Sequence, residues 1–332
     1  MKKKVAIFRC DGGSNIGNGH IIRSYLLAIE LKKKFIECYF LTKKINFFLK
    51  SLIKKEFKII KIKKNSFEEI KKKIFNLKSD YFIIDDYNFS FDLEKKISQI
   101  VKKIIVIEDF PKKKYFSDLI IFQNLNIKNY KNIDNKKSKL LIGRKYSLID
   151  PKLKKIKIKK NKNCIIKIFL CFGGFDGHKL NIKILHFLQF FKRKFNIEIF
   201  INRNDFYCKK ILNYIKKKNI SAKVYINCKL LDVLKKTDFA IISGGTIAKE
   251  LIALNIPSLI ISTSHDQIDN CLEYEKLKLA KYIGHWNNLK KKIFINNFSE
   301  VLDNEKIILN RKNKGFFDFQ GVNRVSKEIL KL

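Results

Sequence analysis

The chain is poor in proline, with 3 in 332 residues, holds 1 tryptophan and 1 methionine, and has 31 acidic side chains against 72 basic ones. So little proline among 46% apolar residues excludes collagen-like and disordered classes. No apolar run approaches the about 20 residues that span a bilayer, so no membrane partner is expected. The lysines after Met1 lead into an apolar stretch of only 5–8. A secretory core needs about 7–15 residues, so the chain reads as a cytoplasmic protein. None of the 7 cysteines forms a CxxC pair. Reduced, mostly buried thiols are expected, as in the run from Cys164 to Cys171, and no structural zinc site. GxGxxG, GK[ST] and DxD are all missing, and no two histidines have metal-ligand spacing. No metal and no cofactor are therefore expected.

The formal net charge is +41. Arginine is scarce, at positions 9, 23, 144, 193, 203, 311 and 324, and the remaining basic residues are lysines spread along the chain. Nucleic-acid readers favour arginine forks clustered on one face, so no nucleic-acid partner is expected. The positive field does suit an anionic small molecule.

The length fits two domains of about 150 residues each. Short apolar runs at 5–8, 36–41, 57–62, 81–84 and 104–107 read as buried strands, with helical spacing between them at 21–31 and 67–77. After a lysine-rich connector around 151–163 a second series follows, with strands at 165–172, 197–201, 222–226, 239–242 and 258–261. Helices are expected there at 179–194, 206–217, 229–235 and 246–254. This βα alternation predicts an α/β fold of two Rossmann-like domains facing a cleft. The expected division is 1–155, 156–318 and a C-terminal helix at 319–332, and a monomer is expected.

In open parallel sheets ligands sit at the carboxyl ends of strands. The first strand runs into Asp11-Gly12-Gly13-Ser14-Asn15-Ile16-Gly17-Asn18-Gly19-His20, with Arg23 one turn into the following helix. Gly13, Gly17 and Gly19 allow tight turns or close ligand approach, and a helix start favours an anion. His20 is the candidate base, and the helix N-terminus is expected to lower its pKa and keep it neutral. Gly173-Gly174-Phe175-Asp176 and Ser243-Gly244-Gly245-Thr246 end two later strands. The second of these opens a helix carrying Glu250, placed to accept bonds from a ribose while the turn cradles a diphosphate. His265 adjoins Asp266 and Gln267, whereas His178 and His285 are expected in solvated loops. Asp85 and Asp86 follow the fourth strand but point to opposite sides, so they should not form a carboxylate pair.

The segment 8–23, FRCDGGSNIGNGHIIR, resembles the pseudaminic-acid pathway hydrolases that remove UDP from UDP-2,4-diacetamido-2,4,6-trideoxy-β-L-altropyranose. Their wider group includes spore-coat polysaccharide proteins, on a MurG-like GT-B scaffold. The likeness runs on through IIDDYNFSFDLE at 83–94, IEDF at 107–110, SDLIIFQN at 117–124 and LIGRKYSLID at 141–150. It resumes at FGGFDGHKLN at 172–181, DFAIISGGTIAKELIALNIPSLII at 238–261 and DFQGVNRV at 318–325. The resemblance implies that His20 activates a water for attack on the anomeric carbon, without a metal and with inversion. It implies further that Tyr87 stands near the sugar, and that Gly245, Thr246 and Glu250 hold diphosphate and ribose. Asp11 is expected to position the water or His20.

Three departures from that pattern stand out. Asp266-Gln267, with Asn270 following, replaces the family's frequent Asn-Gln and is closer to the D-Q-x-x-N run of glycosyltransferases. Asp86 stands where the family has His, and Asp150 where it has Arg. A UDP-sugar hydrolase is the leading expectation, and a GT-B glycosyltransferase using a UDP-sugar donor is the alternative. A non-catalytic nucleotide or polyanion binder is the third.

Overall fold

The computed structural model describes residues 3–13, 16–111, 114–125, 138–156, 158, 165–202, 206–228, 230–303 and 315–332. They divide into two compact units, Met1–Pro151 together with Phe319–Leu332, and Lys152–Asp318.

The first unit is a seven-stranded sheet of β1 (Val5–Cys10), β2 (Glu37–Thr42), β3 (Lys58–Lys61), β4 (Tyr81–Asp85), β5 (Lys103–Glu108), β6 (Leu119–Phe122) and β7 (Lys139–Ile142). Every pairing is parallel, in the order β3-β2-β1-β4-β5-β6-β7. Helices α1 (Gly19–Lys33), α2 (Phe47–Lys54), α3 (Phe67–Ile74), α4 (Phe91–Ile97) and, from the far end of the chain, α11 (Gly321–Leu330) cover it. Because both faces are covered, the strands are apolar runs rather than alternating ones. Ala6, Phe8 and Cys10 share a core with Leu27, Val322 and Ile329, while Val5 and Ile7 pack on the other side with Ile70 and Ile97.

The second unit has six parallel strands, β8 (Ile166–Cys171), β9 (Phe195–Ile201), β10 (Ala222–Ile226), β11 (Phe239–Ser243), β12 (Ser258–Ser262) and β13 (Lys281–His285), ordered β10-β9-β8-β11-β12-β13. Its helices are α5 (Leu180–Leu188), α6 (Phe206–Lys217), α7 (Leu230–Leu234), α8 (Thr246–Ala253), α9 (Ile268–Lys276) and α10 (Lys291–Asp303). The strands β6, β7 and β13 extend the two series of five read from the sequence.

Strand order reverses between β1 and β4 in one sheet and between β8 and β11 in the other. A crevice opens at such a switch point, where neighbouring connections leave in opposite directions. The Asp11–His20 loop follows β1 and the Asp86-Tyr87 turn follows β4, so both flank the first switch. The Gly173-Gly174 and Gly244-Gly245 turns flank the second.

Among the described residues no helix is long and apolar enough to cross a membrane. Five of the six described cysteines are buried, and Cys164 lies outside the described residues. Helix α11 closes the first unit at a tight point, since a Cβ at Gly321 would collide with the backbone of Ser147. Backbone cannot step aside as a flexible side chain can. Gly321→Ala is expected to cost about 1–3 kcal/mol, read as a lower urea midpoint at unchanged slope. An unchanged midpoint would mean that the helix docks loosely.

Candidate active site

The first switch point gathers side chains from three strand ends. Cys10 of β1 lies in register with Asp85 of β4, which brings the end of β4 beside the start of α1. Asp85 is fully buried and accepts from His20 Nδ1 at 2.5 Å, from Arg23 Nε at 2.7 Å and Nη2 at 2.5 Å, and from Ser24 Oγ at 3.2 Å. Arg23 then reaches the end of β5, where its Nη1 donates to both carboxylate oxygens of Asp109 at 2.9 and 2.7 Å. Tyr87 donates its hydroxyl to Asp109 Oδ2 at 2.6 Å and sets its ring edge-on to the His20 imidazole, centroids 4.7 Å apart. His20, Arg23 and Tyr87 are thus brought together, and Asp85 and Asp109 join them.

This network decides the protonation of His20. A carboxylate can only accept, so the contact with Asp85 assigns a proton to Nδ1, and in the neutral ring the lone pair then lies on Nε2. Among the described residues Nε2 has no hydrogen-bond partner. Asp85, Asp109 and Arg23 carry one net negative charge, and protonating His20 makes the cluster neutral. Burial disfavours the imidazolium, but the charge and hydrogen bond of Asp85 outweigh it, so His20 titrates above its ordinary value of 6.5. This corrects the expectation of a lowered pKa, because a buried carboxylate in direct contact outweighs a helix terminus. Burial alone would raise Asp85, yet Arg23 and His20 hold it below the usual carboxylate range.

Asp11 faces partners other than His20. Its carboxylate binds Arg9 Nη2 at 2.8 Å and the backbone N–H groups of Lys43 and Lys44 at 2.7 and 2.9 Å, and does not contact His20. Arg9 is completely buried and also pairs with Asp86 at 2.9 Å, while Asn65 bridges the two. Asp85 and Asp86 do diverge, one toward His20 and the other toward Arg9, as alternate strand positions must. Asp11 therefore buttresses loops around the site, and orienting His20 falls to Asp85.

The glycine loop spends much of its hydrogen-bonding capacity on itself. Gly13 N–H donates to the Gly17 carbonyl at 3.1 Å, Gly17 N–H returns the bond at 2.8 Å, and Gly12 N–H binds Lys44. Gly17 has a φ of +80°, a conformation that glycine adopts at little cost. The N–H groups of Gly13 and Gly17 are thus committed within the loop, in a tight turn of the kind the glycines allow. Gly19 opens α1 directly before His20.

In the second unit Gly173, at φ +75°, and Gly174 make the turn after β8. Asp176 follows, buried, and its carboxylate takes the N–H groups of Leu180 and Asn181 at 2.7 and 2.8 Å and the Tyr207 hydroxyl at 2.6 Å. It caps α5, and these bonds commit both of its carboxylate oxygens within the unit. After β11, a Cβ on Gly244 would collide with Cys271 Sγ, so this glycine admits α9 against the turn. Gly245 caps α8, Thr246 is its first residue, and Glu250 lies one turn on, 7% exposed. Gln267 Oε1 accepts from Thr263 N–H at 2.9 Å and its hydroxyl at 3.1 Å, which sets Gln267 beside the turn. Asp266 lies in the short 3₁₀ turn His265–Gln267.

Sequence reasoning missed two groupings. One is Asp85 with Asp109, each a strand-end carboxylate whose partner lies far away in the chain. The other is a row of rings at the carboxyl edge of the second sheet. His265 stacks on His285 at 4.9 Å, Trp286 follows at 5.9 Å, and His178 stacks on Trp286 at 3.8 Å. His285 ends β13 and is half-buried instead of lying in a loop, whereas His178 is exposed in a turn as expected, and it also bonds the Thr263 carbonyl at 2.9 Å. Among the described residues no group of three or more His, Cys, Asp or Glu side chains is arranged to hold a metal.

No protein-family model matches the chain. It is 31% identical over 304 residues to an uncharacterised protein of Methanocaldococcus jannaschii, across 88% of this chain and 62% of that protein, so it spans under two thirds of that relative's length. It is 27% identical over 252 residues to the UDP-2,4-diacetamido-2,4,6-trideoxy-β-L-altropyranose hydrolase of Campylobacter jejuni, across 75% of this chain and 88% of that enzyme. Among solved structures, Acinetobacter baumannii MurG aligns over the full length of both chains with a TM-score of 0.69 at 11% identity. The UDP-GlcNAc 2-epimerase of Neisseria meningitidis does so with 0.62 at 14% identity. The fold is that of the GT-B glycosyltransferases and sugar-nucleotide epimerases.

Proposed function

We propose that the chain is a UDP-sugar hydrolase that releases UDP from UDP-2,4-diacetamido-2,4,6-trideoxy-β-L-altropyranose or a close UDP-deoxyamino sugar. The observation that carries this reading is the Asp85–His20 pair, which holds Nδ1 against the carboxylate and leaves Nε2, the site of the lone pair in the neutral imidazole, facing away from it at the carboxyl end of β1 and β4. A histidine oriented in that way is a general base. Nε2 takes a proton from water, the water oxygen bonds to the anomeric carbon, and the C1–O bond to the diphosphate breaks. The bonding pair leaves with UDP, and one displacement inverts the anomeric carbon. Positive charge grows on the sugar in such a step, and the net negative Asp85–Arg23–Asp109 cluster stands beside it. The resulting imidazolium is stabilised by Asp85.

The nucleotide end is assigned to the second unit. The Gly244-Gly245-Thr246 turn and the start of α8 suit the diphosphate, Glu250 suits the ribose, and Asp266 and Gln267 suit sugar hydroxyls. The named hydrolase among the relatives and the UDP-sugar enzymes among the structural neighbours support this reading. The D-Q-x-x-N run at 266–270 favours a second reading, transfer of the sugar from the same donor to an acceptor.

Phosphorus and proton NMR of the protein with that UDP-sugar and no acceptor separates the two. Free UDP with free inverted sugar, at a rate that EDTA leaves unchanged, is the expected result. UDP-sugar that binds but stays intact would reject hydrolysis of this substrate and favour transfer, and inhibition by EDTA would reject the metal-free step.

A further inference from the structure

Asp109 enters the proposed reaction only through the charge of its cluster, yet it is tied to three other residues. Arg23 binds both of its carboxylate oxygens through Nη1, at 2.9 and 2.7 Å. Asn124 Nδ2 donates to its backbone carbonyl at 2.6 Å, which ties the residue to the end of β6. Its side chain is 14% exposed, whereas Tyr87, which donates to it, is 40% exposed. The two ends of this link therefore differ, one fixed in the protein and one presented.

A phenol has one proton. A carboxylate already held by an arginine is a strong acceptor for it, since charge-assisted bonds are the shorter and stronger ones. With that proton committed, the Tyr87 oxygen has only lone pairs to offer. We propose that Asp109 is a positioning residue that takes the Tyr87 hydroxyl proton and thereby fixes Tyr87 as a hydrogen-bond acceptor toward a substrate N–H or O–H. The substrate assignment rests on the UDP-sugar reading above; the Asp109–Tyr87 link does not.

The consequence for specificity has a definite sign. An acetamido N–H, a sugar hydroxyl or the attacking water satisfies Tyr87, whereas a keto oxygen or a diphosphate oxygen meets lone pairs with lone pairs. Tyr87 is then a selector of donor-bearing sugars and is not the acid that protonates departing UDP. A site built around one such bond discriminates strongly against analogues that lack the donor.

The test has a ligand-free arm and a substrate arm. Protein carrying ¹³Cζ-tyrosine is titrated by NMR, with Tyr87→Phe identifying the signal. Among the described residues, charged groups facing Tyr87 include Asp109 beyond β5, and Arg23 and His20 on α1, with Asp85 behind them. Removing an adjacent anion eases ionisation of a phenol, so Asp109→Asn is expected to lower the pH at which Tyr87 titrates. An unchanged titration overturns the proposal.

In the substrate arm, Tyr87→Phe and Asp109→Asn are each expected to raise KM for the diacetamido UDP-sugar about 3- to 10-fold. The double variant should be no worse than the single ones, because one residue acts through the other. Additive losses overturn the proposal. So does loss of the alkaline limb of kcat in Tyr87→Phe, which would make the phenol a proton donor. If Asp109→Asn does not fold, that alkaline limb decides alone. Wild-type protein that binds UDP and leaves the sugar intact would instead reject the hydrolase reading, and the tyrosine titration would still settle the role of Asp109.

Discussion

His20→Ala is expected to lower turnover of the UDP-sugar by roughly 10²- to 10⁴-fold, the contribution of a positioned general base. Affinity for UDP should stay within a few-fold, because the nucleotide is assigned to the second unit and His20 lies in the first. Calorimetry with UDP and a single-turnover assay read the two quantities separately. Loss of both together would show that the imidazole holds up the Asp85–Arg23–Asp109 cluster instead of taking a proton. The rate should also depend on pH with a known sign. His20 titrates above 6.5, and only its neutral form accepts a proton, so kcat/KM should rise with pH through that raised value. The pair also contributes to folding stability. With the folded pKa above the unfolded one, that contribution is complete below about 6.5 and is lost as pH climbs through the folded value.

Asp85→Asn is expected to lower kcat by about 10²-fold or more with little change in volume. An amide can donate to Nδ1, which drives the proton to Nε2 and removes the lone pair that takes the water proton. The substitution also removes the carboxylate that stabilises the imidazolium, so the acid limb of the pH profile should move to lower pH. These effects have opposite signs at low pH, which makes the profile more informative than one rate. A low kcat with an unmoved acid limb would mean that His20 does not control the step. Arg23 would be left with one carboxylate fewer, so a thermal melt should accompany the kinetics to separate loss of structure from loss of orientation.

Much of the scaffold is legible in the chain. Apolar runs such as 5–8 and 81–84 could only be strands covered on both faces, and the helical spacing between them requires parallel crossovers. Strands β7 and β13 were not legible, since Lys139 leaves the one a run of three apolar residues, and Gly284 and His285 break up the other. In the site, His20 stood out because a glycine-rich loop separates it from a buried strand and it opens the next helix. Asp11 lies nearer to it in sequence than Asp85, yet it turns to Arg9 and the Lys43–Lys44 backbone. Closeness along the chain is a poor guide where a loop doubles back.

The amino-acid sequence by itself determined that this protein has two parallel α/β series and a histidine poised at a strand end. Hydrophobic periodicity and loop chemistry are local properties, written within ten or twenty residues. Only the tertiary structure decided which carboxylate meets that histidine. Asp85 reaches His20 because β4 lies beside β1, and the order of parallel strands is set by how whole crossovers pack. The same packing places two carboxylates around Arg23 in a buried space. There, Coulombic attraction is weakly screened, and the charge of the cluster, rather than the helix end beneath it, sets the pKa of the base.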